Sequence, residues 1–343
     1  KLLTLGRDRL GEKPLYYGWQ GNDENATFFF GSELKAFHQH PVFKKQINRN
    51  AISSFLRHSY IPAPHSIYKG IFKLLPAHFA RISFKNKTPL LTRYWSPEEN
   101  SKKIQESEIY SNDCEAIDCL ERMLNGAVKE QMISDVPIGA FLSGGIDSST
   151  IVSMMQLNST QRIRTFTVGF KEKDFNEADH ARAVAEHLKT DHSDLYIDSQ
   201  DLINVIPSLA NIYDEPFGDS SAIPTMLVSR LAKKEVTMTL SGDGGDELFH
   251  GYGFYNWANR LSKPLIKSSR NLIGSALKKG GNRMKRASHL FNYPENQIKS
   301  HIFSQEQYYF SQDEIQNLLI NKTIYPTYID EEHTLARKLS SKE

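Results

Sequence analysis

Short apolar runs open the chain. Leu2–Leu5, Leu15–Trp19 and Thr27–Phe30 are separated by Gly, Asn and Asp, a spacing that predicts strands joined by turns. Glu33–His38 reads as a short helix closed by Pro41, and Arg49–Tyr60, with Ile52, Phe55 and Leu56 on one side, as a small amphipathic helix. Ile61-Pro62-Ala63-Pro64 stops it, because proline lacks the amide a helix interior needs. A strand pair, Ala77–Phe84 and Leu90–Tyr94, brackets the polar Lys85-Asn86-Lys87 turn, and the charged stretch Ser96–Ser107 reads as a linker. From about residue 111 the pattern changes. Helices are predicted at Ala116–Met132, Asp147–Leu157, Asn176–Leu188, Leu202–Ile212 and Ile223–Lys233. Buried strands are predicted between them at Ile138–Leu142, Ile163–Phe170, Asp194–Ile197 and Val236–Leu240. Such alternation implies an α/β fold, a parallel sheet with helices on both faces. Beyond Tyr255 the chain reads as helical and polar.

Composition narrows the class. With 343 residues, 39% of them hydrophobic, the chain can bury a sizeable core in two domains or in one large domain with an appendage. A formal charge of +2 is too near balance to argue for nucleic acid, and no apolar run approaches the length of a membrane span. Cys114 and Cys119 sit five apart in a predicted helix, on different sides, and read as core thiols rather than a disulfide or a metal pair. A cytoplasmic protein is expected. Lys1 followed directly by an apolar strand, and a polar far end, read as cut termini.

Two glycine-rich loops leave predicted strands at their carboxyl ends, where ligands bind in open parallel sheets. The first is Ser143-Gly144-Gly145-Ile146-Asp147-Ser148-Ser149, whose glycines allow close approach to an oxyanion and whose hydroxyls and helix-start amides can donate to it. It lacks the Gly-Lys-Ser/Thr ending of a Walker A loop, so it suits a pyrophosphate held as leaving group. The second, Ser241-Gly242-Asp243-Gly244-Gly245-Asp246-Glu247, adds acids. A carboxylate facing pyrophosphate needs a cation between them, and Mg²⁺ takes one or two carboxylates plus phosphate oxygens. Asp147 and Asp246 are therefore the expected metal ligands, and Asp243 is available to position or deprotonate an attacking amine. Val168 ends a third strand at the same edge and could pack on adenine or be plain core. The acidic turn Asp214–Ser221 could line an acceptor pocket, or its serines could cap the next helix.

At these residues the chain resembles the glutamine-hydrolysing asparagine synthetases. Asp135 to Ser149 and Ser241 to Phe249, with Gly251-Tyr252, are similar to that family's two loops. Gly6 to Tyr17 and Gly31 to Lys35 resemble the end of its glutaminase domain, and Tyr94-Trp95 its linker. The resemblance implies an ATP pyrophosphatase-loop fold preceded by the β-rich tail of an N-terminal-nucleophile glutaminase domain. Residues 1–49 would be the glutaminase remnant, 50–110 the linking region and 111–343 the synthetase domain. It further implies that Mg²⁺-ATP adenylates the aspartate side chain and that glutamine-derived ammonia displaces AMP. Leu142, Val168, Ser241 and Gly242 match ATP and AMP contacts, and Ser143, Gly144, Gly145, Asp147, Ser148 and Ser149 form the phosphate loop. Asp243 matches a residue of the acyl-adenylate step that is Glu in some relatives, which leaves the acceptor open. The β-lactam synthetases share the scaffold and act on another carboxylate. A related ligase and a catalytically dead nucleotide-binding module are the alternatives, and a homodimer is the oligomer kept in view. The family's cysteine nucleophile and its later lysine-bearing basic segment have no counterpart in the chain.

Overall fold

The computed structural model describes residues 2–21, 26–83, 85–97, 99–101, 110, 112–171, 176–249, 251–253, 260–261, 263–291, 309–310 and 312–319. The chain forms two compact units: Lys1–Ser107 with Ile212–Gly218 and Gly253–Glu343, and Glu108–Asn211 with Asp219–Tyr252.

In the first unit, β1 (Leu2–Gly6), β2 (Tyr16–Gln20) and β3 (Thr27–Gly31) precede α1 (Leu34–Phe37) and α2 (Arg49–His58); β4 (Ile71–Lys73), β5 (His78–Ser83) and β6 (Leu90–Arg93) follow. They build two three-stranded antiparallel sheets, ordered β3-β2-β4 and β1-β5-β6. Strand β2 is covered on both faces, since alternate side chains of a strand point oppositely. Tyr16 joins a core with Phe29, Leu34, Phe37, Ile61 and Ile71, while Tyr17 joins one with Leu5, Leu74, Ala80 and Ile82. Phe43 fills the first core, meeting Phe29 and Tyr68 edge-on with ring centroids 5.4 Å apart in each case. Helix α2 and strands β4 to β6 lie in the span expected to link the domains, yet they belong to this unit. Strand β4 escapes the sequence pattern because three residues are too few to show a period. Later in the chain this unit includes α9 (Pro264–Lys278), α10 (Asn282–Ser288) and α11 (Gln312–Leu318), numbered after the helices of the second unit.

The segment Ile212–Gly218 also belongs to the first unit, and its two acids explain why. Asp214 accepts the Leu34 amide at 2.5 Å and lies 3.4 Å from the Lys35 ammonium. Glu215 accepts the Ile67 amide at 2.7 Å and the Tyr16 hydroxyl at 3.2 Å, and pairs with Lys73 at 2.5 Å. A buried carboxylate is tolerated only when so fully satisfied. Neither sequence reading of the Asp214–Ser221 turn describes this role.

The second unit holds α3 (Asp113–Gln131), β7 (Ile138–Phe141), α4 (Ile146–Leu157), β8 (Arg164–Phe170), α5 (Ala178–Leu188), β9 (Asp191–Ile197), α6 (Ser199–Ile212), α7 (Ala222–Ala232), β10 (Met238–Leu240) and α8 (Gly245–Phe249). The four strands are parallel and ordered β10-β7-β8-β9. Ala140 and Leu142 pack with Val128, Val152, Met155 and Ala181 from α3, α4 and α5. Phe141 and Phe166 pack instead with Val228, Leu231, Ala232 and Val236. Both faces of the sheet are therefore covered, as the alternation of helix and strand predicts. Strand β9 begins at Asp191, earlier than its apolar residues suggest, because it continues the β8 ladder from Arg164↔Asp191.

One expectation for α3 fails. Cys114 is exposed and Cys119 half-buried, both free, so neither is a core thiol. Among the apolar residues of α3 only Val128 is buried, with Leu124 packed against the core; Leu120 and Met123 are exposed. A periodic stripe reports that a face is apolar, not how much of it is covered.

Candidate active site

The strand order supplies the geometry of the site. The chain runs outward from β7 to β8 and β9, then returns to lay β10 on the other side of β7. This reversal is a topological switch point, where the loops leaving adjacent strands part to leave a crevice. Those loops are the two glycine-rich ones.

The first loop is tied down by its own hydroxyls. The Ser143 amide donates to Ser148 Oγ at 3.2 Å, the two hydroxyl oxygens lie 2.9 Å apart, and the Gly145 amide donates to Ser143 Oγ at 3.3 Å. Gly144 takes φ +82°, a conformation that favours glycine. Gly145 is the N-cap of α4 and no side chain caps the helix, so its first amides remain available at the positive end of the dipole.

The second loop lies directly against the first. A Cβ added to Gly242 would stand 2.7 Å from the Ser148 amide nitrogen and 2.9 Å from the carbonyl carbon of Asp147. One added to Gly245 would stand 2.5 Å from Asp147 Cγ. In this loop Ser241 Oγ donates to Asp243 Oδ2 at 2.8 Å. Asp246 lies in the first turn of α8, a short helix hidden from the sequence by its glycines and acids.

Together the loops wall a cleft of about 1060 Å³. Leu142, Ser143, Asp147, Ser148 and Val168 line it, as do Ser241, Gly242, Asp243 and Asp246. Val168 also packs beside the core around Ile197, so it both lines the cleft and supports the core. Gly144 and Gly145 shape the turn but are not among the lining residues. Ser149 is not brought to the cleft. Its Oγ is buried without a hydrogen-bond partner, and the residue lines a separate depression with Ser153 and His187. One residue further along a helix turns the side chain by about 100°, which separates Ser149 from Ser148. Asp219, Ser220 and Ser221 are not among the described lining residues either, and Ser221, the N-cap of α7, makes no side-chain capping bond.

Several lining residues went unnoticed in the sequence. Thr225 and Val228 lie three apart on α7, a spacing that shares a helix face. Tyr252 donates its hydroxyl to Glu247 Oε1 at 2.7 Å, and both line the cleft. Asp147, Asp243, Asp246, Glu177 and Glu247 supply carboxylates, whereas no Lys or Arg is among the described lining residues. A polyphosphate in such a cleft requires a cation. Asp147 and Asp246, from the two facing loops, fit Mg²⁺, which uses few protein carboxylates and completes its shell with phosphate and water. No group of three or more His, Cys, Asp or Glu fit to hold a metal occurs among the described residues.

Comparison with known proteins agrees with this architecture. Residues 120–340 match the asparagine synthase family, and residues 1–95 match the glutamine amidotransferase domain. A Methanocaldococcus jannaschii protein provisionally named asparagine synthetase [glutamine-hydrolyzing] 2 is 41% identical over 259 residues, covering 73% of this chain and 47% of that protein. Asparagine synthetase [glutamine-hydrolyzing] 1 of Bacillus subtilis is 32% identical over 280 residues, covering 81% of this chain and 41% of that protein. The chain thus spans about half the length of the curated relatives it matches. With a match over well more than half of its residues, the chain belongs to the asparagine synthase family.

Proposed function

We propose that this chain is part of a glutamine-hydrolysing asparagine synthetase, in which the cleft between the two loops adenylates the side-chain carboxylate of aspartate with ATP. The observation that carries the reading is the apposition of Gly242 and Gly245 to Asp147, which brings an amide-rich loop and an acid-rich loop onto one cleft.

In this reading Leu142, Val168, Ser241 and Gly242 contact the nucleotide. Ser143, Gly144, Gly145 and Ser148 shape and line the phosphate loop, with the α4 amides directed at the leaving pyrophosphate. Ser149 is left out of that set because it lines another surface. Asp147 and Asp246 would hold Mg²⁺, which when bound neutralises the polyphosphate. A carboxylate oxygen of aspartate attacks the α-phosphorus, the bond to the bridging oxygen breaks, and pyrophosphate leaves. Asp243, oriented by Ser241, positions the incoming ammonia and takes its proton as AMP departs. Ammonia would come from glutamine hydrolysis by the amidotransferase part of the whole protein.

The proposed domain division keeps a glutaminase-derived part at residues 1–49 and a synthetase part from residue 111. The packing of α2 and β4 to β6 in the first unit supports extending the former through β6 and confining the linking region to the residues after it. Cytoplasmic residence and a homodimer complete the proposal. Among the described residues no helix is long and apolar enough to cross a membrane.

Aspartate-dependent exchange of labelled pyrophosphate into ATP, measured on the full-length protein, tests the reading. Exchange with aspartate supports it. Exchange only with another carboxylic acid reassigns the acceptor, and tight ATP binding without exchange for any acid indicates a nucleotide-binding module.

A further inference from the structure

Gly242 and Gly245 meet different parts of the first loop. At Gly242 an added Cβ would strike backbone, the Ser148 nitrogen and the Asp147 carbonyl carbon, so alanine there would push the loops apart. At Gly245 the three nearest atoms all belong to the Asp147 carboxylate, at 2.5 Å from Cγ and from Oδ2 and 3.0 Å from Oδ1. A Cβ on Gly251 would likewise overlap the carboxylate of Asp246, whose Oδ1 is its nearest neighbour. The Gly251 amide donates to the Asp246 carbonyl at 3.0 Å, fixing that approach.

Gly245 is not among the glycines with positive φ, so its place in the loop does not require glycine for that reason. Gly245 moreover opens helix α8, where alanine would be the better helix former. What glycine leaves open at these two places is chiefly the space occupied by two carboxylates, with the Asp246 Cα also 3.1 Å from a Cβ on Gly251.

We infer that Gly245 and Gly251 are positioning residues for the metal-facing acids, Gly245 for Asp147 and Gly251 for Asp246. This rests on the proposal that those acids hold Mg²⁺. An alanine methyl at Gly245 would turn the Asp147 carboxylate to another rotamer while leaving the loop path in place, because a side-chain end yields more readily than backbone. At Gly251 the Asp246 carboxylate must turn and its Cα, 3.1 Å away, give by a few tenths of an ångström. The metal would then lose one protein ligand, and the amides facing the phosphates would stay.

The test uses full-length protein and calorimetric titration with ATP, once with excess Mg²⁺ and once in EDTA, without aspartate. Gly245→Ala and Gly251→Ala are expected to bind ATP in EDTA as the parent does, and to lose roughly 10–100-fold of the affinity that Mg²⁺ adds. Gly126→Ala is the control, since a Cβ there meets nothing within 4 Å. A thermal-melt cycle provides a readout independent of metal. Gly245→Ala should lower the melting midpoint of the parent but not of Asp147→Ala, where the opposing carboxylate is gone. Parent-like Mg²⁺ enhancement in both glycine variants, or an undiminished loss of midpoint in the Asp147→Ala background, overturns the inference. Should Gly245→Ala fail to fold, Gly251→Ala and the double variant decide. A parent protein whose ATP affinity ignores Mg²⁺ refutes the metal reading itself, a result distinct from unaffected glycine variants in a metal-responsive parent.

Discussion

Ser241 Oγ donates a hydrogen bond to Asp243 Oδ2 across 2.8 Å, holding the proposed proton acceptor at the exit of β10. Asp243→Asn keeps the shape and removes the base. It should lower aspartate-dependent amide formation by about 10²-fold or more, the usual contribution of a general base. Ser241→Ala, which frees the carboxylate without removing it, should cost less, and mainly in kcat. Equal rates for Asp243→Asn and the parent, measured at saturating ammonia, would remove Asp243 from the reaction.

Glu215 and Lys73 form a buried pair at 2.5 Å, and Glu215 also holds the Ile67 amide and the Tyr16 hydroxyl. Burial pushes the Lys73 ammonium down despite its partner. Glu215→Ala would leave that cation with the Ile61 carbonyl but no counter-charge, and two donors unsatisfied, and should destabilise the first unit by about 3–5 kcal/mol. Glu215→Gln, which can still accept from Ile67, should cost less. Chemical denaturation ranks the variants, and an Ala variant as stable as the parent would show that the network contributes nothing.

His38 lies among Phe43 and Tyr68, and its Nε2 is buried with no hydrogen-bond partner. Burial lowers its pKa below 6.5, with Lys45 adding to the effect and Asp214 opposing it. The unfolded chain then binds the proton more readily than the folded one. Stability should accordingly fall as pH drops below about 6.5, until the lowered folded value is passed. His192, also lowered chiefly by burial, acts in the same direction. Denaturation midpoints at pH 7.5 and 5.5 should differ less in His38→Gln than in the parent. An unchanged difference would acquit His38.

Cys114 is exposed, and Cys119 is half-buried with its sulfur 3.2 Å from the Tyr110 hydroxyl. Native protein treated with N-ethylmaleimide should gain two adducts by mass, Cys114 reacting first. Modification only after denaturation would return both thiols to the interior position their apolar helix suggested.

Local chemistry was easiest to read in the sequence. Ser-Gly-Gly after the Ile138–Leu142 strand announces a tight turn onto a helix start, and the Ser143 to Ser148 hydrogen bonds follow from residues five apart. Ser149 shows the limit, because only the helical phase of α4 tells it from Ser148. Strand β4 and helix α8 were too short to carry a period. The acids of Asp214 and Glu215 looked like site chemistry, since partners such as Leu34, Ile67 and Lys73 are remote in sequence.

By itself the sequence determined the alternation of helix and strand, the two loops and their donor and acceptor types, because these depend on residues close along the chain. Tertiary structure alone decided that β10 returns to pair with β7 rather than extending the sheet beyond β9. That pairing sets Gly245 against Asp147, and no local pattern encodes it: which strand edge a returning segment meets depends on the packing of the whole unit.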